Sequence, residues 1–205
     1  MVSEFFDGTG VRHALKSIAF GVALIVVLPA WLSYQVRRRL LGADRALMGS
    51  TQALSLVPGL WGQFLRRAFL WLVLDACASS VTVEFGTIFS KISARIGENV
   101  YIGPHCSIGS VHIERDVLIA PGVHIPSGPR THGTEDPLRP IKDQTGALRT
   151  IHVGRGSWIG TGAVVLSDVG ANTVVGAGAV VTNALPDNVI AAGVPARVVR
   201  DRTSP

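Results

Sequence analysis

The stretch RIGENVYIGPHCSI, residues 95–108, sets a six-residue period that runs through much of this 205-residue chain. An aliphatic residue stands at every sixth position, at Ile96, Ile102 and Ile108, and a glycine follows each one. The period resumes further along the chain at Ile113, Ile119, Ile125, Val153, Ile159, Val165, Val169, Val175 and Val181. A fixed period of this kind is the signature of a repeat architecture.

The residue four places after each aliphatic position is small or β-branched almost throughout. The set comprises Val100, Cys106, Val117, Val123, Ser157, Ala163, Thr173 and Ala179. A period of six fits neither the 3.6 of a helix nor the simple alternation of a strand. It fits a three-sided prism of short parallel strands, in which both positions point inward and neighbouring coils lie about 4.8 Å apart. The sequence therefore predicts a mainly β fold.

Four motifs give the repeat a family resemblance. They are IAPGVHI (119–125), SWIG (157–160), VGAGAVVT (175–182) and VIAAGVPARVVR (189–200). With them, roughly residues 81–200 resemble the hexapeptide-repeat acyltransferases, in particular the sugar O-acetyltransferases of the maltose, galactoside and colanic acid type. The resemblance implies a left-handed parallel β-helix, a hand that β-crossovers otherwise rarely adopt. It also implies a homotrimer and acetyl-CoA as the donor substrate.

Composition and charge narrow the classes of partner. The chain is 47% hydrophobic and carries a formal net charge of +5. Its basic residues are scattered apart from Arg37, Arg38 and Arg39, and they do not interleave with aromatic residues as in nucleic-acid-binding proteins. Because the arginine triplet follows an apolar run, anionic lipid is the expected partner and nucleic acid is not. Two cysteines far apart predict neither a disulfide framework nor a metal site.

Residues 1–80 are predicted to form a helical, membrane-associated segment. Residues 18–34 contain no charge and would span about 25 Å as a helix, slightly less than the hydrocarbon core of a bilayer. We favour an uncleaved anchor with Trp31 and Tyr34 in the interfacial belt and the arginine-rich side in the cytoplasm. A signal peptide is the competing interpretation, and a hairpin or interfacial helix that never spans is another.

A second helix is predicted over about residues 53–76, interrupted at Pro58-Gly59. It is too broken by Arg66 and Arg67 to cross a bilayer, so it is an interfacial helix or one packed on the end of the β-helix. The β-helix domain is predicted over residues 81–200. Its repeat is interrupted by a loop at 126–151, rich in proline, glycine and charge, and a loop this long inside a repeat indicates function.

The catalytic residues follow from the resemblance. O-acetylation needs a base for the alcohol proton and a donor for the developing oxyanion. His132, in the long loop, matches the position of the family's general base, and Glu135, Asp136 or a backbone carbonyl would orient it. Trp158 matches a tryptophan that lines the site. Thr161 matches the position whose backbone N–H faces the thioester oxygen.

The donor-binding residues also follow from the resemblance. Gly160, Ala177 and Thr182 match positions along the pantetheine arm of coenzyme A. Arg197 and Arg200 match basic residues that meet the coenzyme A phosphates, where guanidinium groups give bidentate contacts. Asn183 stands where the family commonly has lysine, which predicts weaker phosphate binding or a charge supplied by another subunit.

Two other functions remain open. The same prism hosts zinc hydratases of the carbonic anhydrase type, which need three converging histidines, but His105, His112 and His124 are predicted to point in different directions. A non-catalytic scaffold would lack a histidine-bearing loop. We therefore predict an acetyl-CoA-dependent O-acetyltransferase that needs no metal. Its acceptor would be a sugar hydroxyl on a polysaccharide or lipid-linked precursor, and its β-helix would lie on the cytoplasmic side of the inner membrane.

Overall fold

Three helices precede a parallel β-solenoid in the computed structural model, which describes residues 8–202. The helices are α1 (Gly8–Leu41), α2 (Ala43–Ser55) and α3 (Gly59–Val73). Gly42, with a φ of 85°, separates the first two, and Pro58 stands directly before the third. A left-handed φ suits glycine, and proline suits a helix start because its missing N–H has no helical partner there.

The solenoid consists of short strands that pair with the strand one coil away. They are β1 (Ala76–Cys77), β2 (Thr82–Val83), β3 (Ile88–Phe89), β4 (Arg95–Ile96), β5 (Tyr101–Ile102), β6 (Ser107–Ile108), β7 (Val111–Ile113), β8 (Leu118–Ile119), β9 (His124–Ile125), β10 (Ile151–Val153), β11 (Trp158–Ile159), β12 (Val164–Val165), β13 (Val174–Val175), β14 (Val180–Val181), β15 (Val189–Ala192) and β16 (Arg197–Asp201). A short 3₁₀ turn, Ile141–Asp143, lies in the long loop.

The strands form three sheets, one for each side of the prism. Their orders are β1-β4-β7-β10, β16-β15-β13-β11-β8-β5-β2 and β14-β12-β9-β6-β3. Val169 and Leu185 extend the first sheet as isolated parallel bridges. The pairing gives about six turns, which confirms the predicted mainly β solenoid and its three sides.

The core is the column of inward side chains enclosed by the three sheets. The aliphatic residues of the six-residue period are buried, as Ile102, Ile119 and Ile159 illustrate with no exposed surface. The small residues four positions later are buried as well, including Cys106 and Thr173. Identical register places Ile102 beside Ile119 and Ile119 beside Ile159. Each coil thus buries its apolar residues only against the next coil.

Helices α2 and α3 cover the first coil of the solenoid. The Thr51 hydroxyl donates to the Phe89 carbonyl at 3.1 Å and accepts from the Phe89 N–H at 3.2 Å. Arg66, only 3% exposed, donates from Nε to the Val83 carbonyl at 2.9 Å. The Gly86 N–H donates to the Ser55 carbonyl at 3.0 Å. An open strand edge invites pairing with other chains, and these contacts close it.

The other end of the solenoid is closed by the chain itself. Strand β16 turns back and pairs antiparallel with β15, with Ile190 opposite Arg200 and Ala192 opposite Arg197. The side chains of β16 are all exposed. The last coil therefore ends in an exposed strand that carries two arginines.

The predicted break at Pro58-Gly59 is present, since α2 ends at Ser55 and α3 begins at Gly59. The helical segment differs from the sequence prediction in two respects. The first strand begins at Ala76 instead of residue 81. Tyr34, expected in an interfacial belt, is 2% exposed and packs edge-to-face on Phe69. Residues 1–7 of the predicted segment lie outside the described part of the chain.

Helix α1 is longer than the predicted apolar run. Within its segment Ala14–Leu41, an 18-residue window has a mean hydropathy of 2.1, and the segment is long and apolar enough to cross a membrane. Length and composition alone also fit the core helix of a soluble protein or a signal sequence. Its burial and contacts therefore decide how it is used.

Candidate active site

One corner of the prism repeats in every central coil, between the second and third sheets. The register of the strands makes four residues equivalent there: Pro104, Pro121, Thr161 and Ala177. The next residue has a positive φ in each case, namely 58° at His105, 68° at Gly122, 68° at Gly162 and 66° at Gly178. A left-handed third position is typical of a type II turn, which favours proline at the second.

The corner changes chemically halfway along the prism. Pro104 and Pro121 have no backbone N–H, whereas Thr161 and Ala177 do. The N–H groups of Thr161 and Ala177 have no acceptor among the described residues, although the neighbouring Gly178 N–H donates to the Thr161 carbonyl at 2.8 Å. Two exposed corner residues in successive coils thus present backbone donors along one edge. Such donors suit an oxyanion or an amide carbonyl of a bound substrate.

A row of outward side chains runs along the second sheet beside this edge. Trp158 pairs in register with Val174, Val174 with Ile190, and Ile190 with Arg200. Trp158 is 51% exposed, and Arg200 is exposed on the terminal strand. Three strand spacings separate β11 from β16, or about 14 Å. The structure therefore aligns the predicted aromatic and phosphate-binding residues on one face.

The remaining predicted donor-binding residues lie on the same end of the prism. Gly160 is buried, and a Cβ there would lie 2.6 Å from the Ala177 nitrogen, so the close approach of the two coils requires glycine. Thr182 and Asn183 are exposed just after β14, and Arg197 is exposed on β16, where its Nη1 donates to the Ala196 carbonyl at 3.1 Å. An exposed guanidinium at the end of the prism remains available to phosphate.

The long loop leaves the prism after β9 and returns at β10. Its base is fixed by the Arg149 N–H, which donates to the Ser127 carbonyl at 2.9 Å, and by an ion pair between Arg149 and Asp168. Its tip is held by Gln144, whose Nε2 donates to the carbonyls of Asp136 and Arg139, both at 2.8 Å. The loop is therefore an ordered projection.

His132 lies on the ascending arm of this loop. It forms an isolated antiparallel bridge with Thr145, and its side chain is exposed. No hydrogen bond to its imidazole occurs among the described residues, and the Glu135 carboxylate accepts instead from the Thr134 N–H at 3.0 Å. Neither Glu135 nor Asp136 orients His132 within this chain.

His132 and the corner donors stand on different edges of the prism. The loop leaves from the corner between the third and first sheets, whereas Thr161 lies between the second and third. No hydrogen bond or cavity of the described residues links His132 to Trp158 or Thr161.

The other histidines do not form a cluster with metal-binding geometry. His112 and His152 lie on adjacent strands with ring centroids 5.3 Å apart, while His105 is at a corner and His124 is on the third sheet. Within residues 8–202 no group of three histidine, cysteine or acidic side chains could hold a metal ion.

Sequence reasoning missed the difference between the corners that have a backbone N–H and those that lack one. The resemblance points to Thr161 but not to its contrast with Pro104 and Pro121. That contrast is visible in the sequence, because GP and AP occupy the corner before the long loop and GT and GA occupy it afterwards. The contrast can be recognised only from the strand register, which makes the four corner residues equivalent although the long loop separates them in the sequence.

Comparison with known proteins agrees with this geometry. Residues 93–127 match the family model of the bacterial transferase hexapeptide (six repeats). A search of curated proteins finds no match.

Solved structures share the architecture over most of the chain. A maltose O-acetyltransferase from Clostridium difficile 630 is 23% identical at a TM-score of 0.69, covering 80% of this chain and 89% of that one. A hexapeptide-repeat containing acetyltransferase from Vibrio cholerae is 22% identical at 0.67, covering 78% and 93%. A galactoside acetyltransferase in complex with coenzyme A is 27% identical at 0.68, covering 78% and 81%.

The repeat matches a bacterial transferase hexapeptide model and the fold is shared with solved acetyltransferases, which confirms the resemblance predicted from the sequence motifs. The likeness to acetyltransferases supports an acyltransferase.

Proposed function

We propose that this chain is an acetyl-CoA-dependent O-acetyltransferase that acts on a sugar hydroxyl. The observation that carries the proposal is the aligned face running from Trp158 to Arg200 beside the unpaired N–H groups of Thr161 and Ala177. An elongated donor with an anionic end fits a strip that has an aromatic at one end and guanidinium groups at the other. The galactoside acetyltransferase of similar fold was solved with coenzyme A.

His132 is the proposed general base. Its imidazole takes the proton of the acceptor hydroxyl as the oxygen attacks the thioester carbonyl. The Thr161 N–H donates to the resulting oxyanion. Collapse of the tetrahedral intermediate breaks the carbon–sulfur bond, and the proton passes from His132 to the departing thiolate. Arg197 and Arg200 hold the phosphates, and Gly160, Ala177, Thr182 and Asn183 line the path between.

The active unit is proposed to be a homotrimer. Within one chain His132 lies on a different edge of the prism from Thr161, so a neighbouring copy would bring the two together. Closed rings of three place the same two edges in contact at every interface. This arrangement also allows a neighbour to supply the positive charge that Asn183 lacks.

The acceptor is proposed to be a polysaccharide or lipid-linked saccharide precursor on the cytoplasmic side of the inner membrane. The supporting observation is the exposed apolar surface of α1, ending in Arg38 and Arg39. A water-soluble monosaccharide would give an enzyme no reason to reside at a membrane. No nucleic acid is involved in this proposal.

The test is acetyl transfer by the purified protein. His132→Ala is expected to lower kcat by about 10²- to 10⁴-fold while leaving acetyl-CoA binding nearly unchanged, because the base acts only in the chemical step. His152→Ala, which removes an exposed histidine elsewhere on the prism, is the matched control and should retain activity. An active His132→Ala enzyme contradicts the assignment. Full activity after exhaustive chelation is also expected and would dispose of the zinc hydratase alternative, whereas its loss would contradict a reaction that needs no metal.

A further inference from the structure

Helix α1 has one buried face and one exposed apolar face. Ala23, Val27 and Tyr34 are at most 2% exposed and pack toward α3. The opposite face carries a stripe of aliphatic side chains at helical spacing that are 43–76% exposed: Leu15, Ile18, Val22, Ile25, Leu32, Val36 and Leu40. A continuous apolar stripe of this size on a protein surface marks a binding surface.

Two parts of α1 border clefts that the first coil of the solenoid also lines. In the first third of the helix, Lys16 and Ser17 line a cleft with Ser79 and Ser80, at the corner after β1. At its end, Leu41 borders a depression that also includes Ile92 and Ser93, at the corner after β3. Helix α1 therefore runs across the end of the prism from one corner to another.

The turn after α1 fixes this crossing with polar contacts. Asp44 accepts from Lys91 Nζ at 2.8 Å and from the Ile92 N–H at 3.1 Å. Arg37 reaches α2, where its guanidinium donates to the Ser50 hydroxyl at 2.8 Å. Asp44 therefore ties the start of α2 to the first coil, and Arg37 ties the end of α1 to α2.

A membrane-spanning orientation conflicts with these contacts. From Lys16 to Leu41 the helix covers about 38 Å, enough to cross a hydrocarbon core of about 30 Å. Because α1 packs along α3 and α2, which cover the first coil, a spanning α1 would draw Arg66 of α3 and Asp44 of α2 into the bilayer. Charged groups and irregular backbone are costly in hydrocarbon, so the packing of α1 on the other helices argues against a membrane-spanning orientation.

The exposed stripe fits lipid better than a second copy of the helix. No charged residue occurs between Ile18 and Tyr34, whereas paired helices usually carry charges beside the apolar seam. Exposed Arg38 and Arg39 follow the stripe, where they would meet anionic headgroups.

We propose that α1 lies in the plane of the membrane surface as an amphipathic support, with its stripe in the lipid and the prism standing on its first coil. Both ends of α1 are then on the same side of the bilayer as the solenoid. The proposal depends on the burial and contacts of α1, and it holds whether or not the acetyltransferase assignment is correct.

The first test measures the depth of the stripe in vesicles of phosphatidylcholine and phosphatidylglycerol. Ile18→Cys, Ile25→Cys and Leu32→Cys carry a fluorophore in the full-length protein, and depth is read by quenchers fixed at known levels. All three are expected at the same shallow level, about 5–10 Å into the interface. A maximum near the bilayer centre at Ile25 indicates a spanning helix and overturns the proposal.

The native cysteines do not interfere with this labelling. Cys106 is buried, and burial raises the pKa of the Cys77 thiol to about 12, so both stay protonated and unreactive near neutral pH.

The second test determines sidedness with a membrane-impermeant maleimide and protein bound to sealed vesicles. Ser17→Cys at the start of α1 and Arg115→Cys on the prism are expected to react equally before and after detergent is added. Protection of Ser17→Cys alone, relieved by detergent, would contradict an in-plane helix.

The third test separates lipid from a second copy. Ile25→Glu is expected to abolish sedimentation with vesicles without unfolding the protein, because Ile25 is 69% exposed. Ile141→Glu, the same substitution at a 57% exposed site in the long loop, should still sediment. Unchanged vesicle binding by Ile25→Glu, combined with a smaller oligomer, would show that the stripe pairs protein copies and overturn the proposal. Substitution is preferred to deletion, since removing α1 would uncover Phe69, which packs against Tyr34.

Discussion

Pro121 and Thr161 occupy equivalent corners of neighbouring coils and differ in whether the backbone carries an N–H. Because the corner accommodates proline at residues 104 and 121, Thr161→Pro should fold normally and remove only the donor and the side chain. We expect kcat to fall by about 10²- to 10³-fold, the usual cost of losing one oxyanion donor. Thr161→Ala keeps the N–H and should remain active. Circular dichroism melting distinguishes a misfolded corner from a lost donor.

Substitutions of Arg197 and Arg200 test the end of the prism that is proposed to bind the coenzyme A phosphates. Replacing both with Ala is expected to raise the KM for acetyl-CoA and to leave a pantetheine donor without the terminal phosphates almost unaffected. Arg155→Ala, at an exposed corner on another edge, is the control for general loss of positive charge. Equal losses on both donors would show that the tail acts by packing.

The sequence could predict the inward residues and the residues proposed to bind the donor, but not which of them lie side by side. Ile119 and Ile159 are separated by a long loop, and only their pairing shows that Trp158 and Leu118 share a row. The resemblance predicts His132 beside Trp158, and within one chain the loop that carries His132 leaves the prism from a different edge. Which edge a loop leaves from depends on the corner where the repeat is interrupted, and residue spacing alone does not identify that corner.

At the scale of elements, Arg66 joins α3 to the solenoid. Besides Val83, its guanidinium donates to the carbonyls of Val57 at 2.7 Å and Leu54 at 3.2 Å. Arg66→Met keeps much of the volume and removes all three hydrogen bonds, which come from Nε and Nη1. We expect the free energy of unfolding to fall by at least about 2 kcal/mol, measured by denaturant titration. Arg45→Met, at an exposed site on α2, is the matched control and should have little effect.

The elements themselves were predictable to different degrees. The six-residue period located the strands from Ile96 onward because each strand repeats the same inward pair. The coil that contains Ala76, Val83 and Phe89 lacks that regularity because helices, not another coil, cover its outer edge. Helix α1 is apolar almost all round from residue 18 to 34, so the sequence did not reveal that Tyr34 is buried while Ile25 is exposed.

On the scale of the whole molecule, the proposed in-plane helix would set the height of the proposed site above the membrane. The long loop leaves the third coil, two strand spacings or about 10 Å beyond the first coil. The helical layer adds about 8–10 Å. A saccharide carried on a lipid extends its hydroxyls above the headgroups, which fits a site at that height better than a lipid headgroup itself.

Because the loop that carries His132 and the Thr161 corner lie on different edges of one chain, the proposed site forms between two copies. If each site takes its base from one chain and its oxyanion donor from the next, two inactive variants should complement each other in one trimer. His132→Ala chains still contribute an intact Thr161, and Thr161→Pro chains still contribute an intact His132.

The most direct measurement is the activity of mixed trimers formed by co-expressing His132→Ala and Thr161→Pro chains under two different affinity tags. Each variant alone is expected to be nearly inactive, and random mixing should restore activity at about one quarter of the sites. A mixed population as inactive as the two parents, with mixed trimers verified by both tags, would contradict a site shared between copies.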